Sequence, residues 1–501
     1  MSSSLNKHNL ILLLLALFNV VFHLAFYDKL EFHRDELLYF SLGLHPDFGY
    51  ASIPPITSWI ASFMHTLFGF SLFSVKLFPA LLSGPFLLLT CGITKELGGK
   101  NYAQLLTAIA IIMMPVTMRV FHLFQPVCID LFFWTLLFYY TLRFINTRSD
   151  KYLILVGVTF GFAMLNKYLV ALLLAALLVP IAFTEYRFVF TKKSFYIGLL
   201  AGLVIFSPNL IWQIVHDFPV INHMAELNET QLENVSRINF LVDQLMMPHI
   251  AFILLLSGFI FLWKKKEYRI LLFAILLVYM ILLLLRAKSY YSIGLFPILI
   301  SAGAVMMEEW LQKPIFRIGF AALIVVATLP TLPFGMPIYE QDQMVDYFKN
   351  LEDDYGLLVG RRFEDGSIHS LPQDYADQLG WKELATVAAE AYAKIPEPSK
   401  AIIYCENYGQ AAAVTLIGQQ LQLPHALSFS DNFRYWNPTQ FEPDIKYMIY
   451  INDELGSDVE ALFQDIENVG QVSNINAREF GTTVYLCKNP RSSFNAFWKS
   501  I

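Results

Sequence analysis

The chain has 501 residues, of which 56% are hydrophobic and only 15% are charged. A soluble globular protein carries about 25% charged residues, so these proportions exclude an ordinary soluble fold and predict a polytopic α-helical membrane protein. The net charge of −6 is unevenly spread, with many of the acids in the last third, and no basic block suggests nucleic acid as a partner.

Residues 9–27 (NLILLLLALFNVVFHLAFY) can cross a bilayer as one helix of roughly 20 residues. No small-x-small site follows, and Tyr27-Asp28-Lys29 is a poor processing context, so the segment reads as a retained first helix. His33-Arg34-Asp35-Glu36 comes next, ahead of a short helical pattern (ELLYFSLGL), then His45-Pro46-Asp47-Phe48-Gly49-Tyr50 and Pro54-Pro55. Further apolar runs fall near 72–94, 101–118, 129–146, 152–166, 168–185, 195–213, 249–263, 268–286, 291–307 and 316–335. With the first run they make about eleven spans.

Residues 53–70 are apolar too, but they begin with Pro-Pro and hold a histidine. Leaving them out puts Lys95/Lys100, Arg143/Arg148/Lys151, Arg187/Lys192/Lys193, Lys264/Lys265/Lys266/Arg269 and Lys313/Arg317 all on the side of Lys7. The positive-inside rule makes that side cytoplasmic. The expectation is a multi-pass plasma (bacterial inner) membrane protein with a cytoplasmic N-terminus. Its membrane domain is 1–335, with external loops 28–70 and 214–248, and residues 336–501 form a periplasmic or extracellular α/β domain. That domain shows helical patterns at 341–351 and 380–394 and strand-like runs at 401–405, 445–451 and 482–487. Four cysteines, Cys91, Cys128, Cys405 and Cys487, have no metal-site spacing. A Cys405–Cys487 disulfide is open to an exported domain. Asn228-Glu-Thr and Asn234-Val-Ser match the glycosylation sequon.

Charged groups at or within a membrane face mark function by default. A helix starting near Arg34 places Asp35 and Tyr39 on one face, at i and i+4. Asp35 is a candidate general base; an N-terminal helix charge complementing the macrodipole is the plain alternative. Asp130, at a span's start, is either a cavity residue or a helix N-cap. Arg34, Lys76, Arg119, Lys167, Arg286 and Lys288 lie at external ends of spans, where the positive-inside rule disfavours cations. Lys167 interrupts two apolar runs. One anionic ligand, a phosphate, explains the set, although each alone is able to snorkel to headgroups. Histidines 33, 45, 122, 216, 223 and 249 gather in the external loops. They read as hydrogen-bonded interfacial imidazoles, with a divalent metal shared with Asp35 or Asp130 as the other possibility.

Several stretches together carry a family likeness: HRDELLYFSLG with GYASIPP, SVKLFPALL, FQPVCIDLFFWTLLFYYTLR, GFAMLNKYLVALLL, SPNLIWQIVHDFP, RAKSYYSIGLFPILISAG, YADQLGWKELATVAAEAY and IIYCENYGQAAAV. The chain resembles bacterial glycosyltransferase family 39 proteins, the dolichyl-phosphate-mannose–protein mannosyltransferase-like membrane enzymes of the GT-C fold. Aminoarabinose transferases acting on lipid A are more distant cousins. The resemblance implies transfer of a sugar from a polyprenyl-phosphate donor to a protein, lipid or glycan acceptor on the external face. It implies Asp35 as the catalytic carboxylate, assisted by Glu36. Lys76, Lys167, Arg286 and Lys288 would bind the donor phosphate, with Lys76 standing where relatives commonly carry arginine. Arg34, Tyr39, Asp130, Tyr290 and Tyr291 would line the substrate cavity. No nucleotide is needed, because the glycosyl phosphate is already activated. A lipid-carrier flippase or transporter is the competing reading; it would more often show paired repeats and broken helices in both halves.

Overall fold

The structure is a computed structural model and describes residues 7–230, 235–358 and 360–500. The sequon at Asn234 lies outside the described residues. Among the described residues, seven helices are long and apolar enough to cross a membrane: Lys7–Leu24, Leu72–Glu96, Pro126–Thr147, Lys193–Val215, Lys266–Leu284, Ser289–Trp310 and Pro314–Phe334. Three further pairs of helices are long and apolar enough only when taken together, and each is sharply bent: Asn101–Met113 with Pro115–His122 (63°), Val170–Phe183 with Glu185–Thr191 (111°), and Arg237–Met246 with His249–Lys264 (98°). Lys151–Met164 is a shorter apolar helix. Each apolar run in the sequence thus holds a helix or a bent pair, and the chain is a polytopic α-helical membrane protein. Straight, full-length spans are fewer than the runs because Pro115 and Pro248 fall at two of the bends, where a missing N–H cannot continue the helical ladder. The helix Ile56–Phe68 has 13 residues, short of the length needed to cross.

The chain divides into two compact units. The first comprises Met1–Tyr27, Ile53–Thr57 and Lys76–Ile338. Here small residues let helices approach backbone to backbone, as is usual where lipid removes the hydrophobic drive to associate. Gly157 and Gly161 face Gly198 and Gly202 across the pair Lys151–Met164 and Lys193–Val215. The break between Lys151–Met164 and Val170–Phe183 is pinned by Asn166. Its amide donates to the Pro126 carbonyl (2.9 Å) and accepts the Thr57 hydroxyl (3.1 Å).

The second unit comprises Asp28–Ser52, Ser58–Val75 and Tyr339–Ile501. Its sheet is built from β1 (Ala401–Cys405), β2 (Tyr447–Asn452), β3 (Phe463–Gln471) and β4 (Thr483–Pro490), in the order β1-β2-β4-β3. β1 and β2 run parallel, and the other pairings are antiparallel. Helices Gln341–Tyr355 and Trp381–Ala393 occupy the two expected helical stretches. Tyr404, Met448, Tyr450, Cys487, Phe494 and Trp498 form a core cluster on the sheet. Beyond β1, Leu427 accepts from the Cys405 N–H (2.9 Å) and donates to the Ile403 carbonyl (2.8 Å).

Two points go beyond the sequence reading. β3 was absent from the sequence reading; it is a half-exposed strand whose polar residues Asp465, Glu467 and Asn468 hide its apolar alternation. Cys405 and Cys487 are free and buried. They lie on β1 and β4 with β2 between them, and their register partners on β2, Ile451 and Met448, differ. Two strand spacings of roughly 4.8 Å each exceed the reach of a disulfide.

Candidate active site

In the second unit the helix Arg34–Leu44 starts in a reciprocal cap. His33 is the N-cap, and its Nδ1 accepts the Asp35 backbone N–H at 3.1 Å. The Glu36 carboxylate accepts the His33 backbone N–H at 2.8 Å and is fully buried. Two orphan donors of the first turn are satisfied in this way. Glu36, a candidate assistant to catalysis, is therefore committed to fixing the helix start.

Asp35 is only partly buried, and its Oδ1 accepts the hydroxyl of Tyr408 at 3.1 Å. Arg34 stacks its guanidinium over the Tyr408 ring, 4.3 Å from the centroid. Burial works against the charge on Arg34, but the carboxylates of Glu479, Asp377 and Asp35 outweigh it and hold the guanidinium charged. Burial raises the Tyr408 phenol well above its usual value. Arg34 opposes this, while Asp35, Asp377 and Asp431 add to it, so Tyr408 stays a neutral donor. The Arg34 backbone N–H donates to the Asp377 carbonyl (3.0 Å), which ties the motif to the helical turn at Gln373–Ala376. Tyr39 is buried one turn beyond Asp35.

His33 Nε2 lies 3.7 Å from both Asp374 Oδ1 and Asp377 Oδ2. Donor types and spacing suit a divalent cation, but the tautomer does not. Nδ1 already accepts a hydrogen bond, so the ring proton sits on Nε2, the nitrogen aimed at the carboxylates. A metal there would require that proton to move to Nδ1 and face the Asp35 N–H, donor against donor. With its proton on Nε2, His33 fits a neutral imidazole facing two carboxylates and not a metal ligand.

In the first unit, Asp130 and Lys167 lie within electrostatic range of each other. Asp130 is buried in the first turns of the helix Pro126–Thr147, and its Oδ1 accepts the Trp134 indole N–H at 3.1 Å. Lys167, in the break pinned by Asn166, holds its ammonium 5.2 Å from the Tyr290 ring centre and 4.6 Å from that of Tyr291. The 3-10 turn Ser289–Leu295 carries both tyrosines and packs through Gly294, where a Cβ would fall 2.5 Å from the Trp134 ring. Asp130, Lys167, Tyr290 and Tyr291 thus form one assembly. Lys76 belongs to another: it is 2% exposed and acts electrostatically on His122 together with His23 and Arg119. Arg286 is exposed on a left-handed turn after the helix Arg269–Leu284, with φ 50°, and Lys288 is partly buried just before the tyrosine turn.

Residues 52–212 match the family model described as dolichyl-phosphate-mannose-protein mannosyltransferase. The crystal structure of ArnT from Cupriavidus metallidurans bound to undecaprenyl phosphate aligns over 95% of this chain and 97% of that one, with a TM-score of 0.62 at 13% identity. Its apo state aligns over 94% and 97%, with a TM-score of 0.64 and the same 13% identity. The chain has the GT-C fold. An Archaeoglobus fulgidus oligosaccharyltransferase tethered with an acceptor peptide aligns over 90% of this chain and 69% of that one, with a TM-score of 0.53 at 12% identity. Comparison with curated protein sequences gave no match.

On this GT-C chain, sequence reasoning singled out Asp35 but not Tyr408, which donates to it, nor Asp377 and Glu479, which act on Arg34. Asp377, Tyr408 and Glu479 lie hundreds of residues from Arg34 and carry no local pattern. The stretches YADQLGWKE and IIYCENYGQ, which contain two of the three, contributed to the family likeness without any role being assigned to single residues.

Proposed function

We propose that this protein transfers a sugar, hexosyl or pentosyl, from a polyprenyl-phosphate donor to a protein, lipid or glycan acceptor on the external face of the membrane. The observation that carries the reading is Asp35. It is a partly exposed carboxylate at a rigidly capped helix start, with one oxygen held by Tyr408 and a charged arginine alongside. Asp35 accepts the proton of the acceptor hydroxyl or amine. The freed electron pair attacks the anomeric carbon, and the bond from that carbon to the phosphate oxygen breaks. The polyprenyl phosphate departs with the bonding pair, and direct displacement inverts the centre.

Charge develops on the departing phosphate, so cations placed there lower the barrier. Lys167, set on the faces of Tyr290 and Tyr291, is the first candidate for that role, with Arg286 and Lys288 on the neighbouring turn. Lys76 sits in the separate buried group with His122. The match of residues 52–212 and the fold support the reaction class. The N-terminus is cytoplasmic and residues 336–501 are external in this reading, from the distribution of lysine and arginine. The decisive experiment is transfer by Asp35→Asn in purified, donor-binding protein; near-normal transfer removes Asp35 from the mechanism.

A further inference from the structure

We infer that Tyr408 is a positioning residue for Asp35, holding one oxygen of its carboxylate in place. The inference rests on the reading of Asp35 as the general base and adds a residue from the distant C-terminal region to it. Tyr408 opens the helix Tyr408–Leu416, which is fixed by its own reciprocal cap between Asn407 and Gln410. Its hydroxyl reaches Asp35 Oδ1 at 3.1 Å across 373 positions of sequence.

The ring has little room to swing. Arg34 covers one face at 4.3 Å, and the adjacent Gly409 makes space for the Arg34 stem, since a Cβ there would fall 2.8 Å from Arg34 Cγ. Glu479, which acts on Arg34, is itself anchored by Gln410 (2.8 Å), Thr482 (3.1 Å) and Asn407 (3.3 Å). The charged and titratable groups around the pair are Arg34, His33, Glu36, Asp377, Asp431 and Glu479. A carboxylate has about four lone-pair sites, so the hydrogen bond from Tyr408 restrains the group without removing its capacity to accept a proton. Loss of that hydrogen bond shifts the carboxylate, and small misplacements at a reacting centre cost large factors in rate.

The test is steady-state transfer by the full-length protein in detergent, with a short-chain polyprenyl-phosphate sugar. Tyr408→Phe keeps the ring on Arg34 and removes only the hydroxyl. The expected result is a fall in kcat of roughly 10- to 100-fold with donor and acceptor KM unchanged. Placing 4-aminophenylalanine at position 408 restores an N–H donor and should recover most of the loss, which separates positioning from packing even if the Phe variant unfolds more readily. Unchanged kcat in Tyr408→Phe, a change in KM alone, or no recovery with the amino side chain would each overturn the inference. Asp35→Asn run beside these variants keeps the two readings apart. Near-normal Asp35→Asn transfer fails the general base itself. A large loss there with Tyr408→Phe at full rate fails only the positioning role.

Discussion

The Lys167 ammonium rests 4.6 Å from the centre of the Tyr291 ring, in a helix break held by Asn166. A cation on an aromatic face is attracted without being neutralised, which leaves it able to attract an anion as well. Lys167→Ala should weaken the use of a polyprenyl-phosphate donor by roughly 10- to 100-fold, the usual worth of a charge-assisted hydrogen bond. Lys167→Arg should keep part of it. Donor titration by calorimetry in detergent measures both, and full affinity in Lys167→Ala would remove the residue from the phosphate site.

Asp35→Asn preserves size and the bond from Tyr408 but cannot take the acceptor's proton. General-base catalysis contributes about 10²–10⁴-fold, so transfer should drop by at least about 10²-fold while donor binding is retained. Glu36→Gln should behave in the opposite way. Its amide oxygen can still accept the His33 N–H, as Gln410 does in its own cap, so the helix start holds and most of the turnover stays in place. A Glu36→Gln protein that melts normally but does not turn over would restore Glu36 to the chemistry.

Gly294→Ala drives a methyl into the indole that holds Asp130. Overpacking of this kind costs about 1–3 kcal/mol. A lowered melting temperature, with reduced transfer in the fraction that remains folded, is the expected outcome. An unchanged melting curve would mean that the Ser289–Leu295 turn yields easily.

The orientation is testable by cysteine labelling. Cys405 is completely buried and would report nothing, whereas Ile475 is 73% exposed. Ile475→Cys in a cysteine-free background should react with a membrane-impermeant maleimide applied from outside. Lys265→Cys should be protected until the membrane is opened. The reverse pattern would invert the topology.

Much of the membrane architecture was legible because it depends on one property, long apolar runs, which a bilayer enforces locally. Even the helix break at Asn166-Lys167 announced itself as a charge inside a hydrophobic stretch. The His33–Glu36 motif was visible as well, but not that Glu36 closes the helix cap while Asp35 meets Tyr408, since two adjacent carboxylates look alike in one dimension. Asp377, Tyr408 and Glu479 were out of reach for a different reason. Their contacts with Arg34 and Asp35 are tertiary, and nothing in the spacing of a strand–helix junction says which distant side chain it will meet. β3 was lost because its carboxylates interrupt the alternation that betrays a strand.

Those carboxylates have a use of their own. A sheet is vulnerable where its outermost strands expose unpaired backbone, because any extended chain nearby can add to it. On one side Leu427 already occupies the β1 backbone. On the other, β3 carries Asp465 and Glu467, the latter bridged to Lys394 and Lys488. Both borders of the sheet are therefore obstructed against intruding strands. Copies of this protein crowded side by side in a membrane are guarded against knitting together through their β-sheets.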